Sequence, residues 1–212
     1  MCDRGAFNSD LIPEVEIKRI IDKLNIKTVI ETGTFKGFTT KKFSELAEEV
    51  YSIEIAEEIA NQAKSYLSDC NNVKLLKGDS ATVLPVLLQF LKCDLPLFYL
   101  DAHWYNYWPL LTEITTISQY FKENCVIVID DFQVPGRPQL GFDTYKGTPN
   151  NLAFIKESLD KCFQDPFYYF NSTSNMTISS AGSGKIYIFP NKFKELLKDF
   201  VVEENGILYS NL

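Results

Sequence analysis

Short apolar runs alternate with amphipathic stretches along most of this chain. Val29 and Ile30 end one apolar run at Glu31, and VYSIE ends another at Glu54. VKLLK, LFYLD (closing on Asp101) and CVIVID (closing on Asp130) follow, the last two apolar throughout, as in strands buried on both faces. Between these runs the apolar spacing is helical. It picks out Val15, Ile20, Ile21 and Leu24 in Glu14–Leu24, then Phe43, Leu46, Ala47 and Val50 in Phe38–Val50. Ala56–Ser68, Ala81–Leu91 and Leu110–Phe121 read the same way. Strand and helix in strict alternation predict βαβ units and a parallel sheet.

Beyond Asp131 the pattern changes. Phe132–Thr148 is rich in Gly and Pro and has neither period, so it is expected to be a mobile active-site loop. Asn151–Phe163 returns to helix, and Phe167–Phe170 and Lys185–Phe189 to strands that a polar connection would pair antiparallel. Asn191–Phe200 reads as a closing helix, and the tail GILYSNL as an extension along a sheet edge. Residues 1–13 read as a loose arm ended by Pro13. Ala181-Gly-Ser-Gly-Lys185 looks like a scrap of P-loop, but a P-loop runs from strand to helix, whereas Lys185 enters the strand IYIF. A flexible turn is the expectation there. No internal repeat is visible, and residues 1–212 are expected to form a single domain.

Composition narrows the partners. A formal charge of −7 with only three arginines argues against nucleic acid, which wants clustered Lys and Arg. Lys41 and Lys42 read as a solvated helix face. Five cysteines are scattered without a C-x-x-C pair, Cys125 and Cys162 in core-like positions, which is reduced, intracellular usage. The first residues have no apolar signal region, and no run reaches membrane-spanning length, so no membrane partner is expected. The sequons at Asn171 and Asn175 are then coincidental, and the cytoplasm is the expected compartment. A homodimer is compatible with the sequence.

The most informative stretch is KTVIETGTFKGFTT, residues 27–40: a strand, a turn punctuated by Gly33 and Gly37, and a helix. Glycine lets backbone approach a ligand, and a helix start offers free N–H groups. Glu54 ends the next strand at the distance of a ribose-binding acid. With no Gly at 35 or 38 the dinucleotide fingerprint is incomplete, and Glu31 at the mouth would repel a phosphate while suiting an amino group. A glycine turn that merely packs helix on strand is the alternative. E-x-G-x-x-x-G resembles motif I of the S-adenosylmethionine (SAM)-dependent methyltransferases, with Glu54 matching their ribose acid and Gly78-Asp79-Ser80 their adenine-side loop. That resemblance runs from Lys27 to Tyr145. It implies a doubly wound, Rossmann-like α/β fold: a mostly parallel seven-stranded sheet, helices on both faces, the last strand antiparallel. It also implies cofactor contacts at Glu31, Gly33, Thr34, Gly37, Glu54, Asp79, Ser80 and Asp101.

Glu31, Glu54, Asp101 and Asp130 all end strands, and Asp131 adds one more. In a doubly wound sheet ligands bind at those ends. Strand ends collect acids in any case, because strand interiors disfavour them. Even so, Asp101, Asp130 and Asp131 at neighbouring ends would repel one another without a cation, and a chain with one histidine points to oxygen ligands and a hard ion such as Mg²⁺. YLDAHWYNYWPLLTEI and VIVIDDF resemble the metal-dependent macrocin and aminocoumarin sugar O-methyltransferases. The resemblance implies Mg²⁺ on Asp101, Asp130 and Asp131. Where that family carries a second Asp as general base, this chain has His103, which would either take a hydroxyl proton near neutrality or hydrogen-bond a loop. Trp104, Tyr105, Tyr107 and Trp108 would wall an acceptor pocket or cap the sheet. Arg137, Asp143 and Tyr145 are candidate acceptor contacts.

Together these features predict SAM-dependent, Mg²⁺-assisted O-methylation of a small hydroxylated molecule, a sugar or sugar-linked compound, with Asp101 and His103 at the chemistry. A SAM-binding module without turnover and a methyltransferase acting on a macromolecule are the alternatives.

Overall fold

The computed structural model describes residues 5–104, 107–173 and 182–212; Cys2, Tyr105, the Asn175 sequon and Ala181 lie outside them. Asp10 caps α1 (Leu11–Leu24), its Oδ1 accepting from Ile12 N at 3.1 Å. Then come β1 (Thr28–Thr32), α2 (Phe38–Leu46), β2 (Glu49–Glu54), α3 (Glu57–Tyr66) and β3 (Val73–Lys77). α4 (Ser80–Phe90), β4 (Leu97–Leu100), α5 (Leu110–Phe121) and β5 (Val126–Ile129) complete the alternating part. A small hairpin of β6 (Thr144–Tyr145) and β7 (Thr148–Pro149) precedes α6 (Leu152–Cys162), β8 (Phe167–Phe170) and β9 (Ile186–Phe189). Short α7 (Lys194–Leu197), β10 (Val201–Glu204) and β11 (Ile207–Ser210) close the chain.

The main sheet runs β10-β11-β8-β9-β5-β4-β1-β2-β3. β1 to β5 are parallel, and β9 lies antiparallel between β5 and β8. The sheet has nine strands where seven were expected. The extra pair is a hairpin turning on Asn205-Gly206, both with positive φ, and β11 docks alongside β8. Asn-Gly between apolar runs is a strong hairpin signal, because both central residues of that turn need φ > 0.

Strand alternation splits the core into two faces. Ile30, Phe98, Ile127 and Ile129 face α4, α5 and α6, while Val29, Val50, Tyr99 and Val128 face Ile17, Ile20 and Phe43 of α1 and α2. Cys125 and Cys162 are buried free thiols, 3.9 Å apart. Among the described residues no helix is long and apolar enough to cross a membrane.

Three local expectations are corrected. From residue 5 onward the arm is not loose: Phe7 is 2% exposed and packs edge-on against Phe43 and Tyr99. Pro13 does not end it but lies in the first turn of α1, where its missing N–H costs nothing. α2 stops at Leu46 because Val50 is needed in β2, opposite Val29. The segment 191–200 is a series of short 3-10 and α turns rather than one helix, with Leu197 and Phe200 still turned inward.

Candidate functional site

The carboxyl ends of β1 to β4 open into a cleft of about 920 Å³, within the size range of ligand pockets. One half is built by β1, β2 and β3. Gly33, with φ +88°, brings the end of β1 against β4 so closely that a Cβ would sit 2.7 Å from Asp101 O. Glu54, 5% exposed, accepts from Phe35 N at 2.8 Å and from Ala56 N at 2.9 Å, which fixes both carboxylate oxygens on the cleft wall. Asp79 caps α4 through Ala81 N at 3.0 Å, and its other oxygen accepts from Tyr107 OH at 2.8 Å. Asn8, Phe35, Ile59 and Ser80 complete this half.

The other half is a rim of ionisable groups. Asp101, His103 and Asp131 each offer a ligand atom within 4.8 Å of the others. His103 Nε2 stands 3.8 Å from Asp131 Oδ2 and 3.6 Å from Asp143 Oδ2. Burial, then the charges of Asp130 and Asp131, push Asp101 well above the usual carboxylate range. Burial and Asp130 raise Asp131 to about 7. A cavity of about 20 Å³ opens beneath this rim, lined by Asp101, His103, Asp131, Asp143, Glu113 and Asn150 among others.

Asp130 behaves differently from its neighbours. Its Oδ1 lies 2.6 Å from Lys185 Nζ and accepts from Ser183 Oγ at 2.5 Å, while Oδ2 accepts from Tyr99 OH at 2.5 Å. Burial alone would raise its pKa. Lys185's charge and these hydrogen bonds outweigh that and hold it below the ordinary carboxylate value. The turn read as flexible therefore delivers a fully buried lysine to the acid cluster. A signal was present: a lysine leading into an all-apolar strand must find a partner if that strand is buried.

Other site candidates are redistributed. Glu31 lies in the interior, its Oε2 accepting from Thr40 Oγ1 and Ser52 Oγ at 2.5 Å each, and is not among the cleft-lining residues. Thr34 and Gly37 are also outside the cleft; Gly37 instead opens α2. Arg137 is tied to Glu204 at 2.7 Å, to Ser172 O at 3.0 Å and over the Tyr209 ring, so it anchors the long loop rather than facing the cleft. Tyr145 stacks on Trp108 at 5.7 Å, behind the wall on which Trp104 and Tyr107 are exposed. Only Phe142, Asp143 and Thr144 of the loop reach the cleft. Backbone bonds such as Phe132 N to Gly184 O and Gln133 N to Asn150 O join other parts of the loop to the body of the fold. Asn8, Phe35, Ile59, Glu113 and Asn150 are among the site residues that the sequence pattern did not single out.

The chain matches no protein-family model. It resembles the O-methyltransferase TomG of Streptomyces achromogenes, involved in tomaymycin synthesis and solved with SAM. That pair shares 17% identity at a TM-score of 0.60, covering 84% of this chain and 79% of that one. An O-methyltransferase of Bacillus cereus, solved with S-adenosylhomocysteine (SAH), is 16% identical at a TM-score of 0.58, with 84% and 80% covered. A curated relative, protein-L-isoaspartate O-methyltransferase 1 of Anaeromyxobacter sp. (strain Fw109-5), is 38% identical over 68 residues, 31% of this chain and 32% of that protein. The match thus spans about a third of the relative's length. All three are methyltransferases, and the fold of this chain is the Rossmann-like fold of SAM-dependent O-methyltransferases.

Proposed function

We propose that the chain is a SAM-dependent O-methyltransferase acting on a small hydroxylated metabolite, with a sugar or sugar-linked acceptor as the working choice. The observation that carries the reading is the pairing of two half-sites in one cleft: a fixed carboxylate and glycine turn on one side, a rim of ionisable groups on the other. The residues present fit the nucleoside half of SAM. Glu54 is held by two N–H donors and keeps acceptor capacity for ribose hydroxyls, while Asp79 and Ser80, which line the same cleft, would be the adenine-side contacts. Glu31 does not fit a direct amino contact, since it is turned inward.

When bound, SAM supplies an electrophilic methyl on a sulfonium that departs as a neutral thioether. The protein's part is to place an acceptor hydroxyl in line with that methyl and to take its proton. Asp101 and His103 bound the cleft at this point, and Asp131 and Asp143 flank His103. The hydroxyl proton passes to this rim, where His103, Asp131 and Asp143 are the available acceptors. A divalent ion held there would lower the hydroxyl's pKa and orient it. Exposed faces of Trp104 and Tyr107 support a sugar acceptor, because a pyranose stacks its C–H face on an aromatic ring.

Calorimetry with SAM, SAH, NAD and ATP tests the reading. SAM and SAH binding with none for NAD or ATP is expected; NAD binding without either S-adenosyl compound overturns it.

A further inference from the structure

The rim differs from the three-carboxylate Mg²⁺ site that the sequence suggested, and the difference has a chemical consequence. Lys185 already supplies Asp130 with a cation, fully buried and 2.6 Å away. What remains together is Asp101, Asp131 and the imidazole of His103. The spacing of His103 Nε2 from Asp131 Oδ2, 3.8 Å, is too long for a hydrogen bond. It is a natural spacing for atoms sharing an ion: with bonds of about 2.1 Å, adjacent ligands stand about 3 Å apart and opposite ones about 4 Å.

A second observation points to the same occupant. Asn150, 4% exposed, lines the small cavity under the rim. Its Nδ2 donates to Asp130 O at 3.1 Å and Asp131 O at 3.2 Å, so the amide orientation is set by two carbonyl acceptors. That leaves Oδ1 buried and without a hydrogen-bond partner among the described residues. A bare amide oxygen on a residue that lines the same small cavity as Asp101 and Asp131 is a ligand in waiting for a cation. The cavity, about 20 Å³, has room for one water-sized or ion-sized body.

We propose that this rim binds a first-row transition ion in preference to Mg²⁺, through the carboxylates of Asp101 and Asp131, the imidazole of His103 and the Asn150 side-chain oxygen. Mg²⁺ demands oxygen ligands in near-octahedral order, whereas imidazole suits softer divalent ions. Lys185 takes the third carboxylate out of the set. The inference rests on the methyltransferase reading for what the ion does there, not for its binding. It also changes the role of His103. A ring nitrogen that ligates an ion cannot take a proton at the same atom, so His103 is a ligand and Asp143, beside it on the cleft and outside the ligand set, becomes the proton acceptor.

Transition ions outbind Mg²⁺ at most sites, so the test is a ratio and not a single affinity. Chelator-stripped full chain is titrated calorimetrically with Co²⁺, Zn²⁺ and Mg²⁺, as wild type and as His103→Asp, which offers an oxygen in place of the nitrogen. His103 is 44% exposed at its side chain, so the variant should fold. The Co²⁺-to-Mg²⁺ affinity ratio should fall at least about tenfold in His103→Asp, and the visible spectrum of bound Co²⁺ should change. An unchanged ratio and spectrum, or no binding of any of the three ions, overturns the inference. SAH is titrated into the same samples; SAH binding without ion binding sinks the ion site and leaves the proposed function standing.

Discussion

Lys185 Nζ lies 2.6 Å from Asp130 Oδ1, and the two side chains are 0% and 2% exposed. Burial by itself would lower the lysine's pKa and raise the aspartate's; each partner reverses the shift of the other. Removing one member strands a buried charge, which costs about 3–5 kcal/mol in such pairs. Lys185→Met should therefore lose stability of that order in urea unfolding. Asp130→Leu combined with Lys185→Met should recover much of the loss. A Lys185→Met protein within about 1 kcal/mol of wild type would show that the pair is not buried as described.

Glu113 sets a pH dependence. It is 1% exposed, burial pushes its pKa up to about 7, and the Ser80 and Thr32 hydroxyls beside it only partly oppose this. The folded chain holds that proton where the unfolded chain has released it. The stabilisation is thus complete below about pH 4.5 and disappears as pH rises to about 7. Glu113→Gln cannot ionise, so it should gain on wild type by about 1.4 kcal/mol per pH unit between those limits and level off above. Unfolding curves at half-unit steps of pH measure this, and parallel curves for the two proteins would refute it.

Glu54 carries the nucleoside half of the cleft. Glu54→Ala should weaken SAH binding by about 1.5–3 kcal/mol, the worth of a charged hydrogen bond. The variant also frees Phe35 N and Ala56 N, so Glu54→Gln, which keeps one acceptor, should fall between it and wild type. Equal SAH affinity in all three proteins would remove Glu54 from the site.

Arg137 holds the long loop through Glu204, Ser172 O and the Tyr209 ring. Arg137→Ala should speed limited proteolysis within residues 132–148 while leaving SAH affinity intact, since the side chain is remote from the cleft. A weaker SAH complex with unchanged cleavage would return Arg137 to the list of ligand contacts.

Local pattern was enough for the alternating half of the molecule. Periods of 2 and 3.6 are properties of neighbouring residues, so β1 to β5 and the helices between them could be read directly, and with them the acids at strand ends. Gly33 was equally legible, because a glycine turn after a strand in an α/β pattern marks where backbone must approach closely. Asn205-Gly206 is a local signal of the same kind, because its hairpin turn needs φ > 0 at both residues. Where each strand-end side chain turns is another matter. Glu31 and Glu54 end adjacent strands, yet Ser52 and Thr40 draw the first inward while the N–H groups of Phe35 and Ala56 fix the second on the cleft wall. Likewise Asp130 and Asp131 are neighbours, but β9 brings Lys185 to one, and the strand order brings Asp101 and His103 to the other. The sequence by itself determined which residues reach the end of the sheet. Sheet order and the direction of each side chain decided their charges and partners, because those depend on groups far away in the chain that only folding brings within a few ångströms.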